Sequence, residues 1–211
     1  MVAQAPHPFI EENQRRSMPC RWALYRCVLE GREMTTPADR LPPIPAEHWT
    51  DAQREVAQAM IAGPRKAVLA PFVPLLRSPE LCGHVQRLGA HLRYKSAIGQ
   101  RLTELAILVT AKHYAQAFEW ATHKPIAASE GIARATIDAI ERGERPAAMP
   151  DDEAAVHDFC IELLTDLGQV SNATWARAIE RLGEQGVVDL TATCGYYGLL
   201  ALVMNAARTP L

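Results

Sequence analysis

Residues 101–131 read RLTELAILVTAKHYAQAFEWATHKPIAASEG. Leu102, Leu105, Ala106, Leu108 and Val109 recur at three- and four-residue spacing, which predicts a broad apolar stripe on a helix. One charge, Glu104, interrupts that stripe. A second helix is predicted over 117–131, with Glu119 and His123 four residues apart and Gly131 as its stop. No window of the chain alternates apolar and polar residues as a half-buried strand does. The reading is all-α.

Proline placement extends this reading in both directions. Eleven of the 15 prolines lie in residues 1–79, and positions 80–124 and 151–209 contain none. Long proline-free stretches rich in alanine and leucine suit helices. Thr50 predicts the cap of a helix over 51–63, and Ser78 one from Pro79 to about 97. Further helices are expected over 101–114, 133–143 and 152–168. Ser171 is expected to cap a helix over 172–183, followed by another over 184–207. That makes about eight helices. Residues 68–79 (VLAPFVPLLRSP) read as an apolar, proline-broken connection. Pro125 cannot donate to the carbonyl of Ala121, so the helix carrying His123 is expected to kink or end immediately after it.

Domain organisation is marked by the same residues. Positions 1–33 look foreign to the rest of the chain and lack the apolar segment of a secretory signal, so they read as a dispensable extension. Residues 34–49 form a proline-rich arm, and 50–211 one helical domain. The 211 residues, 48% hydrophobic, can bury a sizeable core. Twenty-two Lys and Arg against 24 Asp and Glu leave a net charge of -2, with no footprint for nucleic acid or an anionic membrane. No uninterrupted apolar stretch approaches the ~20 residues that span a bilayer. The five cysteines, 20, 27, 82, 160 and 194, form neither a disulfide framework nor a zinc ribbon, which points to a reduced cytoplasmic setting.

Three residues suggest chemistry. Glu104 among leucines invites desolvation and a raised pKa, although a solvated helix face paired to Arg101 or Lys112 is the simpler reading of that residue alone. Glu119 and His123 share a helix face, and a carboxylate beside an imidazole raises its pKa and fixes its tautomer, as a general acid or base needs. A metal held by Glu119, His123 and His91 or His113 is disfavoured without an HExxH pattern, so no metal is expected. Cys160 and Cys194 sit on apolar helical faces and read as buried structural thiols. Gly195, Gly198 and Ala201 recur at helical spacing and suit close helix packing, within or between subunits.

Residues 101–146 resemble the carboxymuconolactone decarboxylase family, the all-helical group that also contains alkyl hydroperoxidase D-like proteins. RLTELAIL, then FEWATH and an AxxxGI turn, is similar to the branch whose motif reads RELAIL…EWxxH. The likeness extends from about Met34 to Leu211. In the hydroperoxidase branch a glutamate precedes CxxC, and a histidine stands four residues after the second cysteine. Here Glu104 and His123 match that glutamate and histidine, while Gln116 and Glu119 stand in the two cysteine positions. The resemblance therefore implies a cofactor-independent lyase of aromatic catabolism acting on an unsaturated carboxylic acid or lactone. His123 would be the acid/base, Glu119 its partner and Glu104 a supporting carboxylate. Arg93 and Arg101 are candidates to bind the substrate anion, and Tyr94, Trp120 and Tyr197 to wall the pocket. The family also implies trimers or hexamers. The alternatives are a hydroperoxidase using other thiols, or a non-catalytic oligomeric binding protein of the same fold.

Overall fold

Thr50 opens the first helix with both halves of a capping box: its hydroxyl accepts from the Gln53 amide, and the Gln53 side chain accepts from the Thr50 amide at 2.9 Å. The structure is a computed structural model and describes residues 38–210. The extension expected over 1–33, and the start of the arm, lie outside the described residues. From 38 the arm is irregular apart from a 3-10 turn, Ala46–His48. It is tied down by backbone groups: the Arg40 amide donates to the Ala207 carbonyl at 2.8 Å, and Arg77 donates to the Pro42 carbonyl at 2.7 Å.

Among the described residues there are eight α-helices and no strand. They are α1 Asp51–Ala62, α2 Phe72–Leu75, α3 Pro79–Lys95, α4 Gly99–His113, α5 Ala117–Ser129, α6 Arg134–Arg142, α7 Asp151–Thr165 and α8 Asn172–Ala207. The all-helical expectation holds, with one local difference. The 68–79 connection contains the short helix α2, whose Phe72, Pro74 and Leu75 are buried. The two helices expected on either side of Gly183 are present within α8: the backbone at Gly183, with φ 69° and ψ 175°, is not helical and marks a kink between them. Glycine reaches that backbone conformation without the Cβ clash that other residues meet.

α4 is enclosed on every side. Leu102 through Ala111 are all buried, and α5, α7 and α8 pack around it. The stripe read from the sequence was therefore too narrow, because a helix at the centre of a domain has no solvated face. α8 is long and apolar enough to cross a membrane by length and composition, with a mean hydropathy of 1.5 over its most apolar window. Most of that window, 61%, is buried inside the domain, as befits a core helix.

Of the two outcomes expected at Pro125, a kink or an end, the end does not occur: α5 runs through Pro125 to Ser129. Pro125 and Ala121 both lie on the exposed side, where water can take the carbonyl that the missing proline N–H leaves open.

Close approach explains one buried glycine in α3. A Cβ on Gly89 would stand 1.9 Å from the hydroxyl of Tyr196, so the phenol occupies the space that a side chain would need. Gly89→Ala is expected to destabilise the domain by about 1–3 kcal/mol through overpacking. The urea midpoint, measured with an unchanged denaturant slope, reads this loss.

Candidate functional site

The three residues singled out in the sequence meet in the core. Glu104 comes from the second turn of α4, while Glu119 and His123 come from one face of α5. Glu104 is 0% exposed, and Glu119 and His123 are 2% exposed each. His123 Nδ1 lies 2.6 Å from Glu104 Oε2, and Nε2 lies 3.3 Å from Glu119 Oε2. The imidazole is thus held between two carboxylates. The closer partner is Glu104, which the sequence reading cast as merely supporting. A solvated face for Glu104, paired to Arg101 or Lys112, is excluded by its burial and by its bond to His123.

Charge and packing complete the cluster. Burial by itself pushes the imidazole pKa down, but hydrogen bonds to Glu104 and Glu119, with their charges, outweigh it and hold His123 above the ordinary 6.5. Gln100 was missed in the sequence. Its amide donates to Glu104 Oε1 at 2.8 Å and leaves Oε2 for the histidine. The signal was available, since Gln100 and Glu104 are an i, i+4 pair on one helix. Tyr197 of α8 stands edge-on to the His123 ring, with centroids 5.2 Å apart. Burial, then the charge of Glu119, push its phenol well above the ordinary value, so it stays a neutral hydroxyl. Glu119 Oε1 is buried with no hydrogen-bond partner.

The five proposed binding residues part company. Tyr197 lies against the cluster. Trp120 is fully buried beside it in α5, with Lys124 Nζ 5.8 Å from its ring centroid. Arg93 is half-buried with its Nε unpartnered, and its charge reaches Tyr196 and Tyr197. Tyr94 is 44% exposed and carries the Arg93 guanidinium 5.4 Å above its ring, so it sits at the surface rather than as a pocket wall. Arg101 is also corrected. It is engaged by Asp152 and Glu153 of α7, and those two carboxylates occupy the guanidinium that a substrate anion would need. His91 and His113 are exposed, and no group of three or more His, Cys, Asp or Glu side chains among the described residues is arranged to hold a metal.

A cavity of about 360 Å³ lies elsewhere, between the C-terminal end of α4 and α6, α7 and α8. Val109, His113, His157, Asp158, Arg145 and Arg177 are among its lining residues, and none of the cluster residues is. Asp158 is satisfied there by Arg145 at 2.8 Å and Arg177 at 2.7 Å. Desolvation pushes its carboxyl up, but those partners and His157 hold it down at about 2.

The raised His123 pKa has a consequence for stability. The folded imidazole binds its proton more tightly than an unfolded one, so the linked stability is fully present below pH 6.5 and is lost as the pH rises through the raised value. The urea midpoint should therefore fall over that range. Glu104→Gln should lower the His123 pKa and flatten the dependence. Histidine NMR titration of both proteins checks the shift directly.

Neither a protein-family model nor a curated protein sequence matches the chain significantly. Solved structures do resemble it. An uncharacterised peroxidase-related protein from Ralstonia eutropha JMP134, described as an alkylhydroperoxidase AhpD core, superposes with a TM-score of 0.69 at 16% identity, over 83% of this chain and 93% of that one. A protein of unknown function from Agrobacterium tumefaciens, described as a candidate antioxidant defence protein AhpD, superposes with a TM-score of 0.57 at 14% identity, over 64% and 92%. By these superpositions and its all-helical architecture, the chain has the AhpD-like fold.

Proposed function

We propose that this protein is a cofactor-independent acid/base enzyme of the carboxymuconolactone decarboxylase type, acting on an unsaturated carboxylic acid or lactone. The observation that carries this reading is the buried carboxylate–imidazole–carboxylate cluster, in which one oxygen of Glu119 has no partner. A general acid must hold a proton at working pH and release it to a positioned atom. His123 meets the first condition through its raised pKa. Its 2.6 Å bond to Glu104 fixes the ring, while the looser 3.3 Å contact at Nε2 is the one that can be exchanged.

In the proposed reaction the substrate carboxylate leaves as carbon dioxide, and the electron pair of the broken C–C bond is delocalised into the neighbouring unsaturation. His123 protonates the distal carbon from Nε2, and Glu104 and Glu119 stabilise the imidazolium before and the imidazole after transfer. Solvent then restores the proton. Arg93 is the remaining candidate cation for the substrate anion, since Arg101 is engaged by α7.

The names of the two structural neighbours suggest peroxide chemistry instead. At this cluster, however, the residues in the two cysteine positions have other work. Gln116 caps α5, accepting from the Phe118 amide at 2.8 Å and donating to Asn205 at 2.9 Å. Glu119 faces His123. A carboxylate and an amide cannot form a disulfide, so the cluster supports proton transfer over thiol oxidation.

We also propose a homo-oligomer. Val188, Gly195, Leu199, Leu202 and Ala206 are all exposed and fall within about 60° of one line along α8. A Cβ on Gly195 would meet nothing within 4 Å among the described residues, so its smallness serves no packing among them.

His123→Ala is expected to lower kcat by about 10²–10⁴-fold with the fold intact. A panel of unsaturated lactone acids, followed by ultraviolet absorbance, is the assay, and full activity in that variant would end the proposal. Leu202→Glu should reduce the mass found by light scattering to that of a single chain.

A further inference from the structure

Two cysteines outside the cluster meet in the core. Cys160 of α7 and Cys194 of α8 are 34 residues apart in the chain, yet their Sγ atoms lie 3.4 Å apart. Both thiols are buried and unbridged. The separation is roughly 1.4 Å more than a disulfide bond of about 2.0 Å, so a small slide of α7 on α8 closes it. The environment of the pair also differs from that of an isolated buried thiol. Burial pushes Cys82 up to about 11, only partly offset by Arg65. At the pair, the sulfur–sulfur hydrogen bond moves the two thiols apart, so that one gives up its proton more readily than the other.

Access is at hand. The 360 Å³ cavity is lined by His157 and Ile161, which flank Cys160 on α7, and by Val109, the neighbour of Thr110 on α4. A hydrogen peroxide molecule is little larger than a water, whose share of liquid volume is about 30 Å³, so the cavity can bring it to the helix turn that carries Cys160.

We propose that Cys160 and Cys194 form a peroxide-oxidisable dithiol, a redox site made of residues distinct from the Glu104–His123–Glu119 cluster, whose oxidation cross-links α7 to α8. One of the two thiols attacks a peroxide oxygen, the O–O bond breaks, and the departing oxygen takes up the thiol proton and leaves as water, or as an alcohol from an organic hydroperoxide. That cysteine is now a sulfenic acid. Its partner attacks the oxidised sulfur, the S–O bond breaks, and the hydroxyl leaves with the partner's thiol proton as water. Two thiols are oxidised by two electrons in all, and one peroxide is reduced. This inference is independent of the acid/base reading.

The test uses the full wild-type chain. The reduced, native protein is treated with hydrogen peroxide, the oxidant is removed, and free thiols are trapped by acid before unfolding and alkylation. Peptide mass spectrometry is expected to find the Cys160 and Cys194 peptides joined with the loss of two hydrogens and separable by dithiothreitol, while Cys82 is recovered alkylated as the internal control. Recovery of Cys160 and Cys194 as alkylated thiols, or of either as a sulfinic acid without the cross-link, overturns the proposal. So does equal oxidation of Cys82, which would show general exposure of core thiols to the oxidant rather than a specific pair.

Discussion

A 2.6 Å contact between Glu104 and His123, buried where water does not reach, is the constraint around which the centre of this domain is arranged. Removing a carboxylate from water costs several kcal/mol unless its oxygens find partners. Glu104 has both: Gln100 takes one oxygen and His123 the other. That requirement explains why α5 must lie against α4 in one register, with His123 facing the second turn of its neighbour. It also explains the ring above the histidine. Tyr197 seals the pair from α8 and supplies an aromatic edge rather than a competing charge.

The same central helix serves two regions. Its N-terminal half presents Gln100 and Glu104 to the histidine cluster, and its C-terminal half presents Val109 and His113 to the cavity. Thr110 hydrogen-bonds its own Ala106 carbonyl at 2.8 Å and also contacts the Cys194 thiol. α8 is shared likewise: Tyr196 and Tyr197 lie toward α3 and the cluster, and Cys194 toward α7. A helix in the core can do this because its different faces meet different neighbours. The carboxylate–imidazole cluster and the thiols are thereby kept in separate surroundings on common supports.

Several features of the site were legible in the sequence because they are local. Glu119 and His123 had to share a face, since four residues make little more than one helical turn. The interruption of an apolar run by Glu104 marked a carboxylate at risk of burial. Pro125 did not end α5 for an equally physical reason: the carbonyl that its missing donor leaves open lies on the exposed side of the helix, where water can take it. Arg101 misled through proximity. Its sequence position near Glu104 said nothing about Asp152 and Glu153, which reach it from α7.

By itself the sequence determined the helical class, the main helix boundaries and the i, i+4 pairing of Glu119 with His123, because apolar period, caps and turn spacing are set within a few residues of chain. The tertiary structure alone decided that Glu104 would reach Nδ1 of His123 across 19 residues, that Cys160 would meet Cys194 across 34, and that Arg101 would be held by Glu153 across 52. Those meetings depend on how helices pack side by side, and helix packing obeys the shapes of faces that the linear spacing of residues does not encode.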